Sequence, residues 1–283
     1  MITSNDVRVS IIVPTYRPGE YLWDCLRSLE RQTFPREWFE VLVVFNGNME
    51  PYAGQLDVGL SRFDLNVRLL HTGICGVSNA RNVGIEEAVG TGICFVDDDD
   101  WVSESYIADL YEKLQDDIVV VSNLRTCNGG VLGEDYVTRA FRRHSKTPRG
   151  GIMRMQSFMS SACAKMIPRS VIGNSRFDCR YSVGEDSLFM ASISYRIRSL
   201  VLSPSEAIYY RRLTPGSASR QEEPAGVKAA RMMKVSVGYL RIYLSAPWRY
   251  SFLFMTSRIA RTVVGVIRRQ ISRSGGRRRS EFV

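Results

Sequence analysis

Four consecutive carboxylates, Asp97 to Asp100, directly follow the apolar run Ile93-Cys94-Phe95-Val96. That run is typical of a buried strand, so the carboxylates are expected at the end of the strand. Adjacent ionised carboxylates repel one another, and open α/β sheets bind their ligands at strand ends. The pattern favours a hard divalent cation with oxygen ligands, shared with a phosphate. A solvated acidic turn that caps the next helix is the alternative.

The elements that must position these carboxylates alternate between short strands and amphipathic helices. Apolar, β-branched runs predict strands over 9–13, 41–45, 67–70 and 118–121. Helical spacing predicts helices over 22–29, 78–88 and 106–114, the last capped by Ser103, and another beginning at Glu185. Short strands are expected near 200 and 207–210, a loop over 125–150 and a linker over 213–226. This alternation predicts an α/β domain with a largely parallel sheet.

Charge is distributed unevenly along the 283 residues. From Pro224 onward there are 13 Lys and Arg and a single acid, Glu281, whereas the preceding 223 residues carry a net charge of −3. A slightly acidic body with a strongly basic tail is therefore expected. Hydrophobic residues make up 45% of the chain, which is enough for a sizeable core.

The six cysteines form no CxxC pair, and several lie in apolar stretches. Reduced thiols in a cytosolic protein are therefore favoured over a disulfide framework. The short polar start, Met1 to Asp6, shows no secretory signal, and no run of 18 apolar residues predicts a helix across a bilayer. The expected location is the cytoplasm, peripheral at the inner face of the membrane.

Four motifs in order along the chain resemble those of the inverting glycosyltransferases of family 2, which have the GT-A fold. They are Ser10-Ile-Ile-Val-Pro-Thr-Tyr16, Gly76-Val-Ser-Asn-Ala-Arg-Asn-Val-Gly84, Asp97 to Trp101, and Gly184-Glu185-Asp186. The resemblance covers about residues 8–215. It implies a GT-A-type nucleotide-binding fold with a mixed, mostly parallel central sheet flanked by helices, followed by the helical basic tail.

The resemblance assigns nucleotide contacts to the first and second motifs. Pro14, Thr15 and Tyr16 would lie against the base and ribose, and Arg81 would reach toward the nucleotide. After its second strand the family usually has one or two acids that contact the base, but this chain has Phe45 and Asn46. The Asn46 amide could still bond to a base. The implied donor is a UDP-sugar, with GDP- and dTDP-sugars as alternatives.

In the acidic run, the family's pattern of two acids separated by one residue falls on Asp97 and Asp99. Asp99 is the candidate for direct contact with Mn²⁺ or Mg²⁺, and Asp97 for ribose or a metal-bound water. One of Asp98 and Asp100 is expected to support these contacts from behind, and Asp98 is placed with the donor-binding residues. The cation would offset charge on the departing nucleotide.

Asp186 matches the family's catalytic base, which takes the proton of the acceptor hydroxyl. Glu185 could instead hold that role or bind the acceptor. Without the other motifs, both acids would be read as first-turn residues favoured by the helix dipole. Arg211, or its neighbour Arg212, is a candidate clamp for the donor diphosphate, and a basic edge strand is the alternative.

The basic tail carries an apolar face between residues 248 and 266, formed on a helical wheel by Trp248, Phe252, Met255, Ile259, Val263 and Val266. Arginines border it, and Arg277-Arg278-Arg279 add charge. The face suits a helix lying in an anionic membrane surface. A helix packed on the body or in a dimer is the alternative. No recognised module for nucleic acid accompanies the charge, so nucleic acid is not expected as a partner.

Together these features predict a GT-A domain over 1–223 and a basic amphipathic tail over 224–283. The domain would comprise a nucleotide-sugar-binding half, about 1–124, and an acceptor-binding half, 125–223. The expected function is metal-assisted, inverting sugar transfer to a glycan or lipid-linked acceptor in cell-surface polysaccharide or glycolipid assembly. The alternatives are a nucleotidyltransferase that makes sugar nucleotides, and a non-catalytic nucleotide- or glycan-binding protein.

Overall fold

The computed structural model describes residues 7–213 and 224–262. The chain divides into two compact units, Met1–Thr214 and Pro215–Val283.

The strands of the first unit are, in chain order, β1 (Val9–Thr15), β2 (Phe39–Asn46), β3 (Val67–Thr72), β4 (Gly92–Phe95), β5 (Trp101–Val102), β6 (Ile118–Val121), β7 (Asn123–Asn128), β8 (Val131–Gly133), β9 (Arg149–Gly150), β10 (Lys165–Pro168), β11 (Ser199–Leu202) and β12 (Ile208–Arg212). Its α-helices are α1 (Glu20–Glu30), α2 (Ala53–Leu60), α3 (Val77–Glu87), α4 (Tyr106–Glu112), α5 (Tyr136–His144), α6 (Arg169–Ile172) and α7 (Glu185–Ile193).

Eight strands form the central sheet in the order β3-β2-β1-β4-β10-β6-β11-β9. Strands β1 to β4 run parallel, whereas β10 lies antiparallel between β4 and β6. The expected mixed, mostly parallel sheet is therefore confirmed. Every residue of β1, β2 and β4 is buried, which is why these strands read as continuous apolar runs. A smaller sheet has the order β5-β12-β7-β8.

Helix α3 lies unusually close to the central sheet. A Cβ placed on Gly84 would come within 2.4 Å of Cγ2 of Ile12 in β1, so only glycine permits this approach. The close packing brings Arg81, one turn earlier on α3, over the ends of the strands. The close packing at Gly84 thereby determines where the candidate site residue Arg81 lies.

Two local expectations are wrong. Ser103 does not cap α4: the N-cap is Ser105, and the Ser103 hydroxyl instead accepts a hydrogen bond from the Ile208 amide at 2.9 Å. The segment 125–150 is not a simple loop, because it contains most of β7 together with β8, α5 and β9. Gly129 and Gly130 both have positive φ and join β7 to β8, as a tight hairpin requires.

The second unit contains α8 (Ala225–Ser245) and a helical segment over 252–262. Met255 and Arg258 are buried, and Arg258 Nε donates to the Tyr239 hydroxyl at 3.2 Å. The apolar face expected between 248 and 266 is therefore only partly exposed. Trp248 and Phe252 are exposed, whereas Met255 is buried, and Arg258, expected outside this face, is buried as well. Most of the expected linker, Val263, Val266 and the terminal arginines lie outside the described residues.

Candidate functional site

The carboxyl ends of β1, β2 and β4 meet at one edge of the central sheet because these three strands run parallel. Thr15 and Asn46 end β1 and β2, and Asp97 follows β4 by two residues. The first motif, the acidic run and Asn46, which lie far apart in the sequence, therefore converge at this edge. Ligand binding in open α/β sheets is expected at such an edge.

Asp98 is tied to the end of β1. The Thr15 hydroxyl donates to Asp98 Oδ2 at 2.5 Å. Burial, with the charges of Asp99 and Asp97 adding to it, raises the pKa of Asp98 to about 7, although the Thr15 bond opposes the shift. Asp98 therefore anchors the acidic run to β1. Pro14 is buried within β1, so its part is to shape the strand end.

Asn46 uses both ends of its amide within the protein. Its Nδ2 donates to the Thr15 carbonyl at 2.7 Å, and its Oδ1 accepts from the Gly76 amide at 2.8 Å. The side chain is 3% exposed. The sequence suggested a base contact, whereas the structure shows a brace that joins β1, β2 and the turn before α3. Tyr16, which is 48% exposed, offers the aromatic face at this edge.

Arg81 joins the two acidic motifs. Its Nη2 donates to Asp97 Oδ1 at 2.9 Å, and its Nη1 donates to Asp186 Oδ1 at 2.6 Å. The Arg81 side chain is only 4% exposed, and its guanidinium lies 5.3 Å from the centre of the Phe177 ring. The acid charges of Asp186 and Asp97 raise the pKa of Arg81 against the opposing effect of burial, so this cation remains charged.

Asp186 lies in the first turn of α7, where it accepts three hydrogen bonds. Arg81 occupies one position on Oδ1, while the Ser161 hydroxyl at 3.1 Å and the Ala162 amide at 3.0 Å both donate to Oδ2. A carboxylate has about four acceptor positions, two on each oxygen. The remaining position is therefore on Oδ1, beside the guanidinium. An acceptor hydroxyl could donate its proton there.

Glu185, next to Asp186, lies 3.5 Å from Arg81 Nη1 with its side chain 14% exposed. Burial and the charge of Asp186 raise the pKa of Glu185 to about 7, against the attraction of Arg81. Three carboxylates thus surround one buried guanidinium. The pair that sequence reasoning could explain as dipole-favoured helix acids is engaged in long-range contacts.

Strand β12 closes the other side of the acidic run. Asp100 is buried and accepts from the Tyr209 hydroxyl and from the Arg212 amide, each at 2.7 Å. Tyr209 in turn accepts from the Asp97 amide at 3.1 Å. Burial raises the pKa of Asp100 well above its usual range, with Asp97 and Asp99 adding to the effect. Asp100 is therefore the buried support of the run.

The two arginines at the end of β12 differ in their surroundings. Arg211 Nη1 donates to Asp135 before α5 at 3.3 Å. Arg212 Nε donates to the Asp99 carbonyl at 3.0 Å, and its guanidinium lies 4.7 Å from the Trp101 ring centre. Of the two, Arg212 is the one bonded to the acidic run. Its place could not be read from sequence, where the two arginines are equivalent.

Sequence reasoning also missed residues that support the site from its interior: Ser161, Ala162, Lys165, Phe177 and Tyr209. Tyr209 and Lys165 lie in strands, and Ser161 follows a short 3₁₀ turn over Gln156–Ser160. None belongs to a local pattern. No signal in the sequence alone would have identified them: the site partners of Ser161, Ala162 and Tyr209 lie 24 or more residues away, and among the described residues Lys165 bonds only to main-chain carbonyls.

The family model and two similar proteins, GlyA and EpsJ, are all described as glycosyltransferases. The family model described as glycosyl transferase family 2 matches residues 10–174. Glycosyltransferase GlyA of Streptococcus pneumoniae is 29% identical over 227 residues, which cover 76% of this chain and 32% of that protein. Uncharacterized glycosyltransferase EpsJ of Bacillus subtilis is 37% identical over 107 residues, 38% of this chain and 30% of EpsJ. The chain spans about a third of the length of these relatives.

Among solved structures, that of Staphylococcus aureus TarS residues 1–349 in complex with UDP-GlcNAc is similar, with a TM-score of 0.70. The alignment covers 91% of this chain and 72% of that one at 21% identity. TarS is described as a poly(ribitol-phosphate) beta-N-acetylglucosaminyltransferase, and over 103 residues it is 33% identical to this chain. The structural similarity confirms the expected GT-A-type fold.

Proposed function

This chain belongs to glycosyltransferase family 2, and on that premise we propose that it transfers a sugar from a nucleotide-sugar donor to a hydroxyl acceptor with inversion. The observation that carries the proposal is the bridge made by Arg81. One guanidinium contacts Asp97 of the acidic run at 2.9 Å and Asp186 at 2.6 Å. Asp97, in the acidic run that would face the donor diphosphate, and Asp186, which would take the acceptor proton, are therefore joined through one side chain.

The acidic run fits a hard divalent cation, Mn²⁺ or Mg²⁺. Asp97, Asp98 and Asp99 are partly exposed carboxylates at a strand end. Within the described residues, no group of three or more His, Cys, Asp or Glu side chains could hold a metal ion. Such a cation usually takes one or two carboxylates and completes its coordination with substrate phosphates and water. Asp99, supported by Asp97, would hold it, and the bound cation would stabilise charge on the leaving diphosphate.

The protein's own groups divide the remaining work. Asp186 takes the acceptor proton at its open Oδ1 position, while Ser161 and Ala162 keep Oδ2 fixed. Arg81 holds Asp186 and Asp97 apart at a set distance and offsets their charges. Tyr16 presents its exposed ring to the base, and Arg212 holds the acidic run closed against β12.

A UDP-sugar is the first donor to test, because TarS, which shares the fold, was crystallised with UDP-GlcNAc and with UDP. GDP- and dTDP-sugars remain in the panel since Asn46 leaves no charged group for the base at the end of β2. A glycan or lipid-linked acceptor in cell-surface polysaccharide assembly is proposed. Minor teichoic acid biosynthesis protein GgaB of Bacillus subtilis, 24% identical over 224 residues, supports this class of acceptor.

Donor hydrolysis across UDP-, GDP- and dTDP-sugars, with Mn²⁺, Mg²⁺ or chelator, tests the proposal. We expect release of one nucleoside diphosphate that depends on the cation. Asp99→Asn should abolish the cation-dependent release of nucleoside diphosphate. Asp57→Asn, which changes an exposed acid on α2, should leave this release unchanged. Pyrophosphate release from a nucleoside triphosphate would instead identify a nucleotidyltransferase. Nucleotide binding without any release, even with candidate acceptors added, would support a non-catalytic binding protein.

We also propose that the second unit binds an anionic bilayer surface. Four exposed apolar side chains of α8 recur at helical spacing on one face: Met233, Val237, Leu240 and Leu244. Trp248 and Phe252, both expected on the apolar face, are exposed as well. Residues 224–262 contain seven Lys and Arg and no acid. A second copy would bring like charges together, so the charge favours anionic lipid.

Within the described residues, no helix is long and apolar enough to cross a membrane. The exposed apolar face and the surrounding basic residues suit an interfacial contact, with the apolar face at the acyl boundary and the basic residues at the headgroups. This contact would bring the catalytic unit to lipid-linked acceptors.

Co-sedimentation with vesicles tests this surface. Wild type should bind phosphatidylcholine vesicles that contain phosphatidylglycerol and not pure phosphatidylcholine. Leu240→Glu should weaken binding roughly tenfold or more, because burying a leucine is worth about 2 kcal/mol. The matched control, Leu132→Glu at an exposed position on β8, should bind like wild type. Equal loss in both variants would contradict the proposal, and a dimer disrupted only by Leu240→Glu would identify a second copy as the partner.

A further inference from the structure

Lys165 is a buried cation close to the candidate base. It begins β10, is 2% exposed, and its ammonium donates to the main-chain carbonyl oxygens of Ser161 and Cys163, the latter at 2.8 Å. In the part of the chain that the structure describes, no carboxylate forms a salt bridge with it. Burial lowers the pKa of Lys165 to about 8. A buried ammonium without a counterion destabilises a fold, so its presence calls for a reason.

The two carbonyls that Lys165 binds flank Ala162. The Ala162 amide and the Ser161 hydroxyl are the two donors to Asp186 Oδ2, and the Cys163 amide donates back to the Ser161 hydroxyl at 3.1 Å. The ammonium therefore fixes the short stretch of main chain that aims both donors at Asp186.

This turn also has a strained backbone. Ala164, between Cys163 and Lys165, has φ of +60°, a left-handed conformation that is unfavourable for alanine. Such strain persists only where the surroundings enforce it. The two bonds from Lys165, together with the bond from the Ser122 amide to the Ala164 carbonyl at 3.0 Å, provide that enforcement.

We infer that Lys165 is a positioning residue for Asp186: its ammonium holds the turn 161–164 so that Oδ2 of Asp186 is occupied and Oδ1 stays open to the acceptor. The inference rests on the proposed function only for the role of Asp186 as the base. Its structural part, that Lys165 maintains the Ala162–Asp186 hydrogen bond, can be tested without any substrate.

Lys165→Met is the test variant, because methionine keeps the length and removes the charge and the donors. The kcat for transfer should fall roughly 10- to 100-fold, since a small misplacement of a catalytic group has effects of that size. The donor KM and nucleoside diphosphate affinity should not change. The Tm should be equal or higher, because an unpaired buried cation is lost. Lys146→Met, the same change at an exposed lysine, should leave all four quantities unchanged.

Hydrogen exchange of the Ala162 amide gives the readout that is independent of activity. In Lys165→Met this amide should exchange roughly tenfold faster than in wild type, the equivalent of one net hydrogen bond. A second variant, Lys165→Met with Ala164→Gly, should regain part of the lost kcat, because glycine adopts a positive φ without strain.

The pH dependence of stability provides a further check. Asp186, Arg211, Cys163 and Cys94 are the titratable groups that act on Lys165. The folded state binds fewer protons than the unfolded state between about pH 8 and pH 10, so wild-type stability should gain from Lys165 as pH rises through that range. Lys165→Met should lack this gain.

Two results would overturn the inference. If Lys165→Met kept wild-type kcat and Ala162 protection, Lys165 would not position Asp186. If kcat, donor affinity and Tm all fell together, Lys165 would serve the fold as a whole. Failure of the wild type to transfer any sugar would refute the proposed function instead, and the Ala162 exchange would still decide the structural part.

Discussion

Asp186→Asn is expected to lower the rate of sugar transfer by roughly 10²- to 10⁴-fold, the contribution of a positioned general base. The amide has no basic oxygen for the acceptor proton, and its NH₂ group would face the Arg81 donor that now lies 2.6 Å from Oδ1. The donor KM should change little, because the contacts with the acidic run remain. Single-turnover transfer and donor titration together would measure both quantities.

The control for this change is Glu185→Gln, on the same turn of α7. Its carboxylate lies 3.5 Å from Arg81, and it accepts neither the Ser161 nor the Ala162 bond. We expect a much smaller loss of transfer. Full activity in Asp186→Asn, with loss in Glu185→Gln, would move the base role to Glu185.

Arg81→Met is expected to cost about 3 kcal/mol in the free energy of unfolding, because it removes the buried cation shared by three partly buried carboxylates. Asp97, Glu185 and Asp186 would then repel one another around the vacated position. Chemical denaturation measures the loss. Arg142→Met, which breaks an exposed ion pair with Glu134, should cost about 1 kcal/mol or less.

The same variant should show a characteristic pH dependence. Burial and the charge of Asp186 hold the pKa of Glu185 at about 7 against the attraction of Arg81, so loss of the guanidinium should raise this pKa further. The folded state of Arg81→Met then binds more protons than the unfolded state, and its stability should rise as pH falls from about 8 to about 5. A loss of stability that is equal at both pH values would indicate packing, rather than charge, as the main contribution of Arg81.

The central strands and the position of the acidic run were predictable because each is encoded locally. The runs that form β1, β2 and β6 are mostly apolar and β-branched, and the four aspartates follow the apolar run of β4 and Val96. Family resemblance then singled out Asp186 and Arg81 as candidate site residues. The resemblance did not predict the contact between Arg81 and Asp186, because neither motif indicates that these two side chains lie together.

The region after residue 125 was misread for a different reason. The strands on either side of its hairpin turn, Gly129-Gly130, are only six and three residues long, so no long periodic pattern marks it. The capping box of α5, in which Asp135 and Thr138 bond reciprocally, was present in the sequence but overlooked. The sequence predicts a base contact for Asn46, and a residue's type does not reveal that both ends of its amide are bonded within the protein.

The hydrogen bonds that build the site also determine when the site can come into existence. Thr15 and Asp98 are separated by 83 residues, Arg81 and Asp186 by 105, and Asp100 and Tyr209 by 109. Contacts between such distant residues form late and slowly during folding, because long loops must close first. A nascent chain that has not yet reached β12, or a fragment cut before it, has an acidic run without its support. Such incomplete forms should not turn over donor, which limits wasteful hydrolysis to the finished molecule.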